Sequence, residues 1–333
     1  MKGVLGQMKK RLLFIDHAMH RTTQSSRFFV DLLGAAFDVR EHFYERFYRV
    51  GADAAMRGSD AAVIWEFPIA RGRFCYPGKV NVFVPMYDNE WGSVWQWRRI
   101  AASGMGVVSF CGKVSDHARR CGVKNLLDVR YFPDPSTLPQ TAGDPKKVFL
   151  WERGGISRGQ AETMFPSSDG YTLVVKGANE FLPREEYLAK LASCGIVVAP
   201  RRKEGIGMAF LEAMAMGKCV VAHNDATMNE YIVDGESGIL VDFDAPERIA
   251  FSRVEKARAG VAVAVARHWA RWVEDAKKIA PFVASLPPCR PSWRQRLVIA
   301  LEYPLYLAEG ALVTCAWIVR VQNALGAGAK ERR

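Results

Sequence analysis

The feature that most constrains this chain is a pattern used twice. Short apolar runs of strand character alternate with stretches of helical spacing from RLLFID (11–16) to LLDVRYF (126–132), and again from KKVFLWE (146–152) to GILVDF (238–243). Runs that are apolar throughout, rather than alternately, suit strands buried on both faces, and strands separated by helices suit a parallel sheet covered on both sides. In the first series, DAAVIWEF, VNVFVPMY and GVVSFCG supply further strands. TTQSSRFFVDLLGAAF, WGSVWQWRRIAAS and SDHARRCG supply helices, the last with Ser115 as its expected cap. In the second series, TLVVKG, GIVVAP and CVVAHN are strands, and PREEYLAKLAS and FLEAMAM are helices. PDPSTLPQTAGDPKK between the two series reads as a linker. The expected fold class is therefore α/β, with two Rossmann-like parallel-sheet halves facing a cleft. Ligands of such sheets bind beyond the carboxyl ends of the strands.

The 333 residues, 49% hydrophobic, are enough for two domains with real cores. Lys and Arg outnumber Asp and Glu by 46 to 35, a net charge of +11 that favours acidic partners. The seven cysteines are odd in number and contain no Cys-x-x-Cys, so neither a disulfide scaffold nor a zinc site is expected, and a reducing, cytoplasmic compartment is the simplest home. The first apolar run is too short for a secretion signal and reads as a core strand. No uninterrupted apolar run of about 20 residues, the length of a membrane span, occurs.

The tail differs. PERIAFSRVEKAR and VARHWARWVEDAKKIAPFV read as two amphipathic helices, followed by the Pro-rich LPPCRPSW and an apolar stretch from Trp293 to Leu325. Glu302, Pro304 and Glu309 interrupt that stretch. It suits packing on the protein, or lying in a membrane surface with Arg294, Arg296 and Arg320 toward the headgroups.

The chemistry concentrates in PRRKEGIGMAFLEAMAMGKCVVA. Glu204 lies in the loop after GIVVAP, and Glu212 lies eight positions on, in the body of a helix that Gly217 ends. A fully helical span of that length covers roughly 12 Å. The helix start between them offers free N–H groups and a partial positive charge, which suits a phosphate. Gly205 and Gly207 allow a ligand close to the backbone. Carboxylates accept hydrogen bonds from hydroxyls, so a glutamate on each side of a phosphate site suits a sugar at one end and a ribose at the other. Arg153 and Arg158, in the loop expected after the first strand of the same half, suit the phosphates themselves.

Together these residues resemble the retaining nucleotide-sugar glycosyltransferases of GT-B architecture, family 4, the group 1 transferases. The resemblance runs from Lys147 to Asp244. It rests on Glu204-Gly205-Ile206-Gly207-Met208 with Glu212, on Glu212-Ala213-Met214-Ala215 with Gly217, and on Glu230, Asp234-Gly235 and Gly238 to Val241. Arg153 and Arg158-Gly159 match the family's cationic pair.

The resemblance implies that Arg153 and Arg158 hold a donor diphosphate, helped by the amides of Gly205, Ile206, Gly207 and Met208. Glu204 would bind the donor sugar and Glu212 the ribose. It implies a UDP- or GDP-sugar donor, a carbohydrate or lipid-linked acceptor, and no metal or other cofactor. It divides the chain into an acceptor domain (1–135), a linker (136–146), a donor domain (147–250) and C-terminal helices (251–333). Cell-envelope polysaccharide assembly, such as O-antigen or capsule, enters by analogy, with an enzyme peripheral on the inner face of the cytoplasmic membrane.

The chain also departs from the family. Arg201 stands where Ser is usual, and Ala226-Thr227 where Gly-Gly precedes Glu230. The segment from Gly177 to Phe181 is short, as if a strand–helix unit were trimmed. The first glycine-rich turn is replaced by DHAMHRTTQSS, in which His17 and His20 are candidate acceptor contacts. Tyr87 and Asp88 occupy the place of a family His, and Asp88 is a candidate for hydroxyl binding or base catalysis. These departures keep open a donor-fold scaffold without activity; a related enzyme that transfers no sugar to an acceptor, such as a sugar-nucleotide epimerase or a phosphorylase, is a further reading. A nucleic-acid module is not expected. The tryptophans Trp91, Trp95 and Trp97 near Arg98 and Arg99 are explained by helix packing.

Overall fold

The computed structural model describes residues 9–44, 55–66, 75–89, 94–293 and 297. Apart from Trp293 and Leu297, the apolar tail lies outside the described residues, as do Trp91 and the tail's Arg294, Arg296 and Arg320.

The first half is a six-stranded parallel sheet. In chain order its strands are β1 (Lys10–His17), β2 (Phe37–Tyr44), β3 (Ala61–Glu66), β4 (Val80–Pro85), β5 (Gly106–Ser109) and β6 (Leu126–Asp128). Their spatial order is β2-β1-β3-β4-β5-β6. The helices are α1 (His20–Thr23), α2 (Arg27–Gly34), α3 (Val94–Ser103) and α4 (Gly112–Arg120). Leu12 to Ile15, Ala62 to Ile64 and Val82 to Val84 are almost wholly buried, as continuous apolar runs require.

The second half is a five-stranded parallel sheet of β7 (Asp144–Trp151), β8 (Thr172–Lys176), β9 (Cys194–Val198), β10 (Cys219–His223) and β11 (Ile239–Val241), in the order β11-β10-β9-β7-β8. Around it lie α5 (Arg158–Met164), α6 (Arg184–Ser193), α7 (Met208–Ala215) and α8 (Met228–Tyr231). From β8 the chain crosses through α6 directly to β9, consistent with the short segment after Gly177.

Each sheet has one point where its strand order reverses. In the first it lies between β1 and β3, and in the second between β7 and β9. Loops leaving such strands part in opposite directions and leave a crevice at the carboxyl ends.

Four local expectations are corrected. The strand β2, FDVREHFY, was not foreseen, because an edge strand with mixed polarity carries no apolar run. The helix α4 begins at Gly112, with Cys111 at its N-cap. Ser115 sits inside it, buried, with its hydroxyl donating to Asp128 at 2.8 Å. Arg158 is not in a loop but opens α5, which Ser157 caps reciprocally with Gln160. The two amphipathic tail helices are one helix, α9 (Phe251–Ser285), which continues through Pro281.

That long helix straps the halves together. Arg253 pairs with Asp234 of the second half at 2.8 Å. Further along, Asp275 accepts the backbone N–H of Arg130 at 3.1 Å, and the Trp272 ring packs edge-on against Phe28 and Tyr131 of the first half. Beyond α9, the Cys289 N–H donates to the Lys79 carbonyl at 2.8 Å, which returns the chain to the first sheet.

Candidate active site

The loops after β7 and β9 build the second half's crevice. Gly155 fits there because a side chain on it would meet the Pro200 carbonyl at 2.6 Å, and its N–H donates to that carbonyl. The neighbouring Arg153 lies over the Trp151 ring at 4.8 Å. The β9 loop carries Arg201 and Glu204, then turns at Gly207, whose φ of +81° suits glycine, to start α7 at Met208.

Glu204 is buried, 8% exposed. Burial pushes its carboxyl from the ordinary 4.5 up to about 7. Arg201 pulls it down, Asp88 pushes it up, and Arg153 pulls it down. Near neutrality its protonated and ionised forms are thus both within reach. The Arg153 guanidinium is lowered by burial and by Arg201, and raised by Glu204, Asp88 and Glu66. Arg153, Arg201, Glu204 and Asp88 therefore form one electrostatic cluster.

Asp88 comes from the first half, in the turn after β4. Its carboxylate accepts from Arg201 Nη1 at 2.6 Å. Burial raises its pKa, against Arg201, its own backbone and Arg153. Gly205 makes this approach feasible, since a Cβ there would lie 2.7 Å from Asp88 Oδ1 and 2.8 Å from Met86 Cβ. The close approach at Gly205 is thus made by the facing half. Other bonds also cross between the halves. The Tyr87 hydroxyl donates to Asp225 at 2.8 Å, and the Gly112 N–H donates to Glu230 at 2.8 Å. Arg130 also pairs with Glu230.

Glu212 lies one turn into α7, 6% exposed, with both oxygens held by Arg184 at 2.7 and 2.9 Å. Burial raises its carboxyl, and Arg184 works against that. The Tyr131 and Tyr187 hydroxyls nearby are raised by burial and by the Glu212 charge. Ile206 is buried and Met208 half-buried beside them. Arg158 is not drawn into the cluster. Its side chain is 64% exposed and bonds Glu162 at 3.1 Å.

The first half's crevice holds a second cluster. His20 Nδ1–H donates to Asp16 at 2.6 Å, and its Nε2 lies 3.1 Å from Glu66 Oε2. Ser26 donates to Asp16 at 2.6 Å, and Asn89 donates to Glu66 at 2.7 Å. Glu66 sits at φ +67°, a left-handed backbone that is rare outside glycine. Burial lowers the His20 pKa, but the Asp16 hydrogen bond and the charges of Asp16, Glu66 and Asp88 leave it raised. The two ring nitrogens face different carboxylates, but only the Asp16 contact is a hydrogen bond; Glu66 Oε2 has no hydrogen-bond partner among the described residues, and the three side chains are close enough to consider as metal ligands. His17 lies beside it, its backbone N–H donating to Asp16 and its ring packed edge-on against Tyr44. The Asp242-Phe243-Asp244 triplet is a further acidic feature, at the surface, where Asp244 pairs with Arg202 at 2.6 Å.

Sequence reasoning missed Asp16 and Glu66, which lie inside or at the end of strands and carry no motif. It also missed Arg184, an ordinary first residue of a helix. Arg201 was visible only as a departure.

Two Rossmann-like halves meeting at their strand ends define the GT-B architecture. Comparison with known proteins agrees. Anabaena HepE in complex with UDP-glucose superposes with a TM-score of 0.55 at 14% identity, covering 83% of this chain and 100% of that one. Trehalose-6-phosphate synthase OtsA superposes with a TM-score of 0.54 at 9% identity, covering 84% and 100%. Residues 179–253 match the family Glycosyl transferases group 1. In sequence it is similar to alpha-maltose-1-phosphate synthase of Mycolicibacterium smegmatis, with 29% identity over 44% of this chain and 35% of the relative. It is also similar to D-inositol 3-phosphate glycosyltransferase of Acidothermus cellulolyticus, with 31% identity over 28% and 23%. The chain thus spans about a third or less of the length of these two relatives.

Proposed function

We propose that this protein transfers a sugar from a nucleoside-diphosphate sugar, UDP- or GDP-linked, to a carbohydrate or lipid-linked acceptor, with retention of anomeric configuration. The observation that carries the reading is the Glu204–Gly207 turn, which opens α7 beneath Arg153 and Arg201 with Glu212 further along the same helix. Fixed cations and a helix start at one point are what a departing diphosphate needs, because they stabilise charge that develops as the bond to the sugar breaks. Arg153 holds the diphosphate, with Arg158 reaching it from the mouth of α5. Glu204 binds sugar hydroxyls and Glu212 the ribose. Asp88 and the Asp16, His20 and Glu66 cluster face the acceptor side, with His17 beside them. No metal is needed in this scheme.

Cell-envelope polysaccharide assembly at the inner face of the cytoplasmic membrane is the setting we infer by analogy. Among the described residues, no helix is long and apolar enough to cross a membrane. The inactive-scaffold reading draws support from one observation: Asp88 and Glu212 are both engaged by arginines of the chain itself.

The test is release of nucleoside diphosphate from UDP-glucose, GDP-mannose and related donors, with and without glycan or polyprenyl acceptors. Acceptor-stimulated release that Glu204→Gln abolishes is the expected result. Folded protein that binds nucleotide without turnover of any donor would favour the scaffold.

A further inference from the structure

Resting on the nucleotide-sugar reading, we infer that Arg184 is a positioning residue for the ribose: it holds the Glu212 carboxylate in the orientation that distinguishes ribonucleotides from deoxyribonucleotides. Arg184 opens α6 and lies outside every motif that marks the donor site. Its guanidinium makes a two-pronged pair with Glu212, Nη2 to Oε1 at 2.7 Å and Nη1 to Oε2 at 2.9 Å. Such a fork fixes the carboxylate plane, which a single contact does not.

The environment makes the fork necessary. Glu212 is 8% exposed at its side chain, and the Tyr131 and Tyr187 rings are buried close by. A carboxylate so placed is left without water and is driven to take up a proton unless a cation faces it. The fork leaves each oxygen a second lone pair, since a carboxylate has about four acceptor directions. A ribose then finds acceptors whose charge and direction are already set. The Arg184 side chain as a whole is more than half exposed, whereas the Glu212 side chain it holds is buried.

Among the described residues, the cation that bears on the Glu212 carboxylate is Arg184, whereas Arg201 and Arg153 bear on Glu204. The two glutamates of the motif are thus served by different arginines. Arg184 acts on the ribose end and leaves the sugar end alone.

The test compares UDP with 2′-deoxy-UDP, and GDP with 2′-deoxy-GDP, by calorimetric titration of the wild type, Arg184→Ala and Arg184→Lys. The wild type is expected to prefer one ribonucleotide about tenfold or more over its deoxy form, the worth of a hydrogen bond to a charged group. In Arg184→Ala that preference should fall to about twofold or less, with Arg184→Lys between the two, because lysine restores charge but not the fork. Glu212→Gln combined with Arg184→Ala should lose little more than either alone. An unchanged ribose preference in folded Arg184→Ala that still binds nucleotide overturns this inference and leaves the transferase reading standing. A wild type that binds none of the four overturns both.

Discussion

The Asp88 carboxylate of the first half and the Arg201 guanidinium of the second meet at 2.6 Å, across the line where the two sheets face each other. Asp88 is largely buried there, and Arg201 is also part of the cluster around Glu204. A single ion pair therefore joins the closure of the two halves to the charge at the candidate donor site.

Removing the cation should be felt in stability. Arg201→Ala leaves Asp88 buried without its partner, and we expect a loss of about 1–3 kcal/mol, between the values for exposed and buried pairs. Urea unfolding of the variant and of Arg201→Ala/Asp88→Asn measures it. The double variant should recover part of the loss, and equal losses would show the pair to be energetically idle.

The pH dependence has a definite sign. Glu204 and His20 both have folded pKa values raised above their ordinary 4.5 and 6.5, so the folded state holds protons that the unfolded chain has released. Their stabilising contributions are complete below those ordinary values and are lost as pH rises through the folded ones. The wild-type unfolding midpoint should therefore be eroded by Glu204 between about pH 4.5 and pH 7, and by His20 as pH rises above about 6.5. Glu204→Gln removes the Glu204 contribution, so its midpoint should gain on the wild type as pH rises through about 4.5 to 7. Parallel curves would show that Glu204 titrates normally.

Thr227 stands at φ +73°, ψ −63°, the rare and strained γ-turn region, while its hydroxyl donates to the Glu204 carbonyl at 2.6 Å. Two substitutions separate these effects. Thr227→Ala keeps the strain and loses the bond, and should cost about 1–2 kcal/mol. Thr227→Gly loses the same bond but relaxes the backbone, and should be more stable than Thr227→Ala by about 1 kcal/mol. Denaturant midpoints decide it, and an alanine variant at least as stable as the glycine one would remove the strain.

Arg158 is exposed and, among the described residues, bonds Glu162 in its own helix, so Arg158→Ala should change stability by less than about 0.5 kcal/mol. If its side chain reaches the donor diphosphate, turnover should nonetheless fall by about tenfold or more, the worth of a charge-assisted bond. Full activity would remove Arg158 from the site and leave Arg153 and Arg201 as its cations.

Much of this architecture is legible in the sequence, because strands buried on both faces are written as unbroken apolar runs. Ala61–Glu66 and Cys194–Val198 are such runs, whereas β2 is half polar and pairs only at the sheet edge. The turn at Gly207 was legible for a similar reason: a left-handed residue before a helix leaves glycine as its signature. The arginines were not. Arg201 and Arg184 matter through partners 113 and 28 positions away, and no local pattern encodes such meetings. The helix boundary that divided α9 into two was misplaced because the intervening Ala- and Gly-containing stretch shows little amphipathic contrast, while packing across both halves keeps it helical.

The most direct test of the central claim is thermal unfolding of the purified protein against UDP, GDP, ADP, CMP and TDP. A nucleotide at a hundred times its dissociation constant stabilises the folded state by about 2.7 kcal/mol, a rise of a few degrees. The account predicts such a rise with UDP or GDP, absent in Arg153→Ala. No rise with any of the five, from protein that unfolds cooperatively, would contradict a nucleotide-sugar site at the Glu204 turn.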